Sequence, residues 1–289
     1  MDTELSAHVG IWGELWRTAH RLSYVDVDGV ATRVLQAGTG PDLVLLHGTG
    51  GHLEAYSRNI AGLAEHFSVT AYDMIGHGWS DLPDHPYTID VLSGHLIGLL
   101  DALGIRRAHL SGESLGGWVA AWTAAHHPDR VNRLVLNTPG NITDKPEVMR
   151  RVRESTLAAV LDPSEETVRR RVEFLFHRKG MVTDELVSLR RRVYSRAGFV
   201  RAIENVLVLQ DPEVRKDFAW RPEWVRTIKA PTVLLWTDHD PTGDLAEAEL
   251  LRSWLPDATL EVIEDSGHWP QWEEPERFLE VHRRFLRDE

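Results

Sequence analysis

The chain has 289 residues and a formal net charge of −12 at pH 7, with 32 Lys and Arg against 44 Asp and Glu. This excess of acid argues against nucleic acid or an anionic membrane surface as the main partner, because both would repel it. The chain has no cysteine, which excludes disulfides, thiolate metal sites and cysteine nucleophiles. No apolar run approaches the roughly 18 residues of a membrane span, and no basic segment precedes an apolar one at the N-terminus, so we expect a cytoplasmic protein.

The N-terminal residues 4–20 are weakly amphipathic, with Leu5, Val9, Trp12 and Trp16 at helical spacing. The pattern predicts a short helix that packs on the domain. It leaves open a contact within a homo-oligomer, since exposed indole rings favour burial.

Two β-rich runs follow, at residues 22–27 and 30–36, separated by Asp28-Gly29. This dipeptide between two such runs predicts a hairpin. Residues 42–46 are continuously apolar, as in a strand buried on both faces. A glycine-rich loop, residues 47–51, comes next and presents backbone N–H groups to an incoming oxyanion.

Strand and helix patterns alternate over most of the remaining chain. We predict helices at 52–65, 88–103, 246–254 and 275–286, and strands at 68–72, 108–111, 131–136, 231–236 and 258–263. This alternation is typical of a mostly parallel sheet covered by helices on both faces.

The alternation is interrupted at residues 141–225, which have helical patterns and no convincing strand. Between positions 150 and 201, twelve Arg and one Lys stand against seven Asp and Glu. We interpret this segment as a helical cap inserted into a core formed by residues 1–140 and 226–289. Most of its arginines are expected on solvated helix faces, and a few are expected to face inward and hold an anionic group of the substrate.

A Gly-x-Ser-x-Gly pattern, centred on Ser114, lies between a predicted strand and a predicted helix. This is the context of a nucleophile elbow, in which Gly112 and Gly116 let the strand and helix approach closely. The pattern is short and also occurs in ordinary glycine-rich turns, so the rest of the chain must support a catalytic interpretation.

That support comes from the ends of two later predicted strands. The loop after the first carries Asp238 and Asp240, and the loop after the second carries His268. Ser114 requires a base, which His268 supplies near neutral pH, and a carboxylate must orient the imidazole. The chain order serine, acid, histidine is the one expected of this architecture. The N–H groups of Leu115 and Thr49 are the predicted oxyanion hole.

The sequence resembles the α/β-hydrolase superfamily over nearly its whole length. The matching motifs are His47-Gly48, Asp73-x-x-Gly76-x-Gly78-x-Ser80, Gly112-x-Ser114-x-Gly116-Gly117 and Gly267-His268. The resemblance implies Asp240 as the triad acid, with Asp238 as the alternative. It also implies that no cofactor or metal ion is needed.

Within the superfamily the chain is most similar to the meta-cleavage product hydrolases, which cleave a C–C bond in 2-hydroxy-6-oxo-hexa-2,4-dienoates from aromatic degradation. The similarity lies in two segments: Gly267-His268-Trp269-Pro270-Gln271-Trp272-Glu273 and Thr183-Asp184-Glu185-Leu186-x-x-x-Arg190. It implies a small carboxylate-bearing substrate that contacts Gly48, Glu113, Arg190 and Trp269, with Arg190 on its carboxylate.

Two residues depart from that family's pattern, since Glu113 and Leu115 flank the serine where Asn and Met or Phe are common. A buried Glu113 would be costly unless paired, so we expect it to meet a polar partner such as a cap arginine. A carboxylesterase or lactonase with the same triad is the alternative function. A non-catalytic receptor is a third interpretation, against which the intact Ser, Asp and His set argues.

Overall fold

The structure is a computed structural model that describes residues 10–287. One eight-stranded sheet forms its centre. The strands are β1 (His20–Val27), β2 (Val30–Ala37), β3 (Asp42–Leu46), β4 (Ser68–Tyr72), β5 (Ala108–Glu113), β6 (Val131–Asn137), β7 (Thr232–Thr237) and β8 (Ala258–Ile263). Their spatial order is β1-β2-β4-β3-β5-β6-β7-β8.

The first two strands form the predicted hairpin, and their pairing is antiparallel. Asp28 and Gly29 both have positive φ, 51° and 85°, as a two-residue turn between twisted strands requires. β2 pairs antiparallel with β4, and all later pairs are parallel. The predicted mostly parallel sheet is therefore confirmed.

Helices surround this sheet. They are α1 (Ile11–Leu15), α2 (Ser57–Ala64), α3 (Ile89–Ala102), α4 (Leu115–His126), α5 (Pro146–Leu161), α6 (Glu165–Glu173), α7 (Asp184–Tyr194), α8 (Phe199–Leu207), α9 (Pro212–Arg215), α10 (Pro222–Val225), α11 (Leu245–Trp254), α12 (Pro270–Glu273) and α13 (Pro275–Leu286). Among residues 10–287, no helix is long and apolar enough to cross a membrane.

Alternation along β3 shows how one apolar run serves both faces of the sheet. Leu43 and Leu45 belong to one buried cluster, whereas Val44 and Leu46 belong to another on the opposite face. Successive side chains of a strand point to opposite faces, so a strand covered on both sides must be apolar at every position.

Two predicted helices differ from the structure. The N-terminal prediction begins before the described residues, and its visible part is only α1. The helix predicted at 52–65 is divided into a short 3₁₀ turn, Leu53–Tyr56, and α2. The N–H of Leu53 donates to Asp73 Oδ1 at 2.7 Å, which ties the start of this segment to the loop after β4.

The loop after β4 contacts the glycine-rich loop, since the N–H of Met74 donates to His47 Nε2 at 3.1 Å. Gly78 has a φ of +50°, and a Cβ there would lie 2.1 Å from the carboxyl carbon of Asp73. Oδ2 of Asp73 lies 3.2 Å from the Arg33 guanidinium, which also pairs with Glu54. The two glycines of the Asp73-x-x-Gly76-x-Gly78-x-Ser80 motif are thus explained by packing, since a Cβ on Gly78 would meet the Asp73 carboxylate and one on Gly76 would lie 2.1 Å from the Tyr87 ring.

The segment between β6 and β7 contains six helices, α5 to α10, and no strand, as its pattern predicted. It follows the strand next to β5, so its helices begin at the edge of the sheet where β5 ends. Its division from the core as a cap stays a prediction.

Candidate active site

Ser114 lies at the turn between β5 and α4, with φ 53° and ψ −115°. This conformation is strained for a residue with a side chain, and such strain is concentrated at functional sites. A Cβ on Gly112 would lie 2.2 Å from the carbonyl oxygen of Gly116, and one on Gly116 would lie 2.3 Å from that of Leu46. Both glycines are therefore required for so close an approach of strand and helix.

The structure brings Asp240 together with His268. The imidazole Nδ1 lies 3.0 and 2.9 Å from the two carboxylate oxygens of Asp240. Asp238 faces elsewhere and accepts hydrogen bonds from the N–H groups of Asp265 and Ser266. Of the two acids left open by the sequence, the geometry favours Asp240 as the partner of His268, and its catalytic role stays a proposal.

Thr242 holds this acid in place, and sequence reasoning missed it. Its N–H and its hydroxyl each donate to Asp240 Oδ1 at 2.8 Å, and the hydroxyl is 3.0 Å from His268 Nδ1. The available signal was the Asp-Pro-Thr spacing, because an aspartate commonly accepts from the backbone N–H two residues later.

The charges around His268 favour its protonated form. Burial lowers the pKa of this imidazole, but the Asp240 and Glu113 carboxylates outweigh burial and raise it to about 10. On the far side of the ring, Nε2 lies 3.2 Å from Glu113 Oε1. The imidazole is therefore held between two carboxylates.

Three other histidines near the site are poorly suited to act as the base. His47 Nε2 accepts the Met74 N–H, and its Nδ1 is 2.9 Å from the Gly48 carbonyl, which fixes a neutral tautomer. Burial, with a smaller contribution from His77, holds the pKa of His47 well below its usual value. Burial also lowers the pKa of His77 to about 4, whereas His239 is exposed at the surface.

Two backbone amides point to a candidate oxyanion hole. Thr49 and Leu115 line the same cavity as Ser114. Leu115 is the first residue of α4, where the helix leaves its N–H groups without internal partners. Within the described part of the chain, neither amide donates a backbone hydrogen bond, so both remain available to an anion.

Two adjoining cavities meet at Ser114. The first lies towards α4, α5 and α8, and we call it the apolar cavity because aliphatic and aromatic side chains form much of its wall. The second contains ionisable groups, among them His268, and we call it the polar cavity. Their linings are Thr49, Ser114, Leu115, Trp118, Gly140, Asn141, Val148, Val152, Val206, Leu207, Leu209, Gln210 and Thr242 for the apolar cavity, and Gly48, Thr49, Gly51, Glu113, Ser114, Val152, Arg171, Leu175, Thr242, His268 and Trp269 for the polar one.

Glu113 meets a polar partner, as expected, but this partner is His268 and not a cap arginine. Its carboxylate lies directly over Gly48, where a Cβ would come within 2.6 Å of Oε2. Among residues 10–287, Oε2 has no hydrogen-bond partner. Within the same range, no hydrogen bond joins Ser114 to His268. Glu113 Oε1 lies instead 3.2 Å from His268 Nε2, the nitrogen that a triad base must offer to the serine.

Arg190 is buried on α7, and its guanidinium lies 5.0 Å from the centre of the Trp269 ring. One nitrogen is 3.3 Å from the Tyr194 hydroxyl, while Nε and Nη2 have no partner among the described residues. It does not line either cavity at Ser114, whereas Trp269 does. Its role as a carboxylate ligand stays a prediction.

Comparison with known proteins adds to this geometry. Residues 41–275 match the family described as alpha/beta hydrolase fold. The chain is 31% identical over 264 residues to the 2-hydroxymuconate semialdehyde hydrolase of Pseudomonas sp. strain CF600, covering 89% of this chain and 91% of that protein.

Two further proteins are similar over most of their length. Identity is 33% over 279 residues to a 2-hydroxy-6-oxononadienedioate/2-hydroxy-6-oxononatrienedioate hydrolase of Burkholderia vietnamiensis, covering 91% of this chain and 95% of that protein. The meta-cleavage product hydrolase of Pseudomonas fluorescens IP01, solved in complex with acetates, superposes with a TM-score of 0.81 at 28% identity, covering 94% of this chain and 99% of that one.

Proposed function

This chain belongs to the α/β-hydrolase fold family, and from that premise we propose that it is a serine-dependent hydrolase of carbon–carbon bonds. Its substrate is a 2-hydroxy-6-oxo-hexa-2,4-dienoate, of the kind that ring cleavage of aromatic compounds produces. The relatives named above support this substrate class. The observation that carries the proposal is the contact between Asp240 and His268, at the strand ends where Ser114 also lies.

Cleavage begins after the dienol has become a keto tautomer, a step inferred from the resemblance, in which His268 helps to move the proton to C5. Either Ser114 Oγ or a water molecule then attacks the C6 carbonyl, and His268 takes the proton of the attacking group. The developing oxyanion accepts hydrogen bonds from the amides of Thr49 and Leu115.

The C5–C6 bond breaks when the oxyanion collapses, and the electron pair leaves with C5 as a dienolate, whose conjugation spreads the negative charge. The proton held by His268 passes to the 2-oxygen of this fragment, which gives 2-hydroxypenta-2,4-dienoate and returns His268 to its neutral form. If Ser114 was the nucleophile, water activated by His268 then hydrolyses the acyl-serine to the second product, an acid. Asp240 keeps the imidazole in the tautomer that accepts at Nε2, and Thr242 fixes Asp240.

The two cavities suit the two halves of such a substrate. The dienoate end belongs in the polar cavity beside Trp269, with Gly48 and Glu113 at its wall and Arg190 behind the indole. The C6 substituent belongs in the apolar cavity beside Leu115. Residues of the helical segment, among them Val152, line both cavities, which supports its role as a cap over the site.

The same nucleophile, base and oxyanion amides would also hydrolyse an ester or lactone, which is the alternative function. The test is a kinetic panel of dienoates and p-nitrophenyl esters at equal enzyme concentration. We expect kcat/KM to be far higher for a dienoate. Rapid ester turnover with no loss of dienoate absorbance would favour the alternative. A cytoplasmic location and a homo-oligomeric state remain predictions.

A further inference from the structure

Glu113 blocks the base in this structure. Its side chain is buried, 1% exposed, and its Oε1 is 3.2 Å from His268 Nε2. In the proposed reaction this nitrogen must face Ser114. The Glu113 carboxylate must therefore move during the catalytic cycle, and its second oxygen, Oε2, has no partner among the described residues.

A candidate destination lies in the same cavity. Arg171, on α6, lines the polar cavity with Glu113 and His268, and it is only 4% exposed. Its Nε donates to Thr156 Oγ1 at 3.1 Å, and its guanidinium lies 5.7 Å from the centre of the Phe174 ring. These contacts fix the side chain.

One of the two terminal nitrogens of this guanidinium donates no hydrogen bond to any described residue. Nη1 of Arg171 is buried and has no hydrogen-bond partner among residues 10–287. Burial lowers the pKa of Arg171 to about 10, so the group remains charged at neutral pH. A buried donor without a partner costs free energy, and an unpaired donor in the cavity that Ser114 also lines therefore requires an explanation.

We propose that Arg171 is a positioning residue, which accepts the Glu113 carboxylate when substrate enters and so releases His268 Nε2 to Ser114. The inference rests on the proposed function and deepens it. Gly48 leaves room for the resting position of Glu113, because a Cβ on Gly48 would lie 2.6 Å from Oε2.

The charges that line the polar cavity favour the same arrangement. Its lining contains one arginine, Arg171, and one carboxylate, Glu113, beside His268. Once His268 is a neutral base, Arg171 is the cation of this lining that can balance the Glu113 carboxylate, whose burial is otherwise penalised.

A double-mutant cycle tests this pairing. Arg171→Met should lower kcat by about 10- to 100-fold with little change in KM, because Glu113 then stays on His268; couplings between neighbouring side chains have this range. Adding Glu113→Gln to Arg171→Met should restore most of kcat, since no carboxylate is left to block the base. Arg170→Met, at the exposed neighbour that pairs with Glu166, is the matched control and should leave kcat unchanged.

The proposal would be overturned if the fold-losses in kcat of the two single variants multiplied in the double variant. It would also be overturned if the double variant had the same kcat as Arg171→Met. Thermal unfolding of each variant separates a folding defect from a loss of positioning. The cycle is measured with both a dienoate and p-nitrophenyl acetate. If Glu113→Gln restored the ester hydrolysis of Arg171→Met, but the enzyme did not cleave the dienoate, the pairing of Glu113 with Arg171 would be upheld and the proposed substrate class would be refuted.

Discussion

His268 Nε2 lies 3.2 Å from Oε1 of Glu113, the residue that immediately precedes Ser114. Asp240 is on the opposite side of the ring, 2.9 Å from Nδ1. An imidazolium satisfies two carboxylates at once, whereas a neutral imidazole satisfies only one. The two carboxylates therefore favour the charged imidazole, a form in which His268 could not act as the proposed base.

This arrangement predicts an alkaline pH profile for the free enzyme. The base must be neutral to accept a proton, and the pKa of His268 is raised to about 10. The kcat/KM of the wild type should consequently rise as pH increases through the alkaline range, because this parameter reports the ionisation of the free enzyme.

Glu113→Gln should shift that profile to lower pH by one unit or more, since it removes one of the two anions that stabilise the imidazolium. The measurement is kcat/KM for a dienoate between pH 5 and 10 (roughly the range in which a perturbed histidine titrates). Glu166→Gln, at an exposed glutamate, should leave the profile unmoved. Identical profiles for wild type and Glu113→Gln would show that Glu113 does not influence the base.

Arg190→Ala tests the predicted carboxylate ligand. We expect transition-state stabilisation for a dienoate to fall by roughly 2–5 kcal/mol, as for a truncated buried charge pair, with little effect on a neutral ester. Arg192→Ala, at an exposed position on the same helix, is the control. Equal losses on both substrates would mean that Arg190 is structural, in keeping with its place behind Trp269.

Thr242→Val tests the support of Asp240, the proposed triad acid. The substitution removes a hydroxyl that donates to Asp240 at 2.8 Å, and a hydrogen bond to a charged group contributes about 1.5–3 kcal/mol. A fall in kcat of roughly one to two orders of magnitude is expected. Thr227→Val, which removes an exposed hydroxyl bonded to Trp224, should have no effect. An unchanged kcat in Thr242→Val would mean that contacts other than the Thr242 hydroxyl orient Asp240.

Gly78→Ala tests the support beneath the glycine-rich loop. Both Gly78 and Gly104 have positive φ, but a Cβ on Gly78 meets Asp73 at 2.1 Å, whereas one on Gly104 meets nothing within 4 Å. Gly104→Ala should lower the free energy of unfolding by about 1–2 kcal/mol through backbone strain alone. Gly78→Ala should cost roughly 1–3 kcal/mol more, because displaced Asp73 loses buried hydrogen bonds. If urea unfolding gave Gly78→Ala and Gly104→Ala the same loss of unfolding free energy, the packing explanation would be contradicted.

Much of the fold follows from local pattern. The apolar run of residues 42–46 had to be a doubly covered strand, and the predicted and observed bounds of β3, β4 and β8 coincide. The 3₁₀ turn that precedes α2 could not be predicted, because its first residue, Leu53, donates a hydrogen bond to Asp73, twenty residues away.

The site was predictable where the backbone dictates the side chain. The glycines around Ser114 impose the elbow, and the ends of neighbouring parallel strands must meet at one edge of the sheet. The partner of Glu113 was not predictable, because a flexible side chain selects its contact from whatever tertiary packing brings near. Arg171 was hidden for the same reason, as one of three successive arginines of which only one turns inward.

The central claim is tested most directly by incubating the enzyme with a 2-hydroxy-6-oxo-hexa-2,4-dienoate and following both the dienoate absorbance and the products. We predict loss of the absorbance with release of one 2-hydroxypenta-2,4-dienoate and one acid per substrate, and a fall of several orders of magnitude in Ser114→Ala, as for loss of a catalytic serine. An unchanged dienoate, or equal rates in wild type and Ser114→Ala, would contradict it.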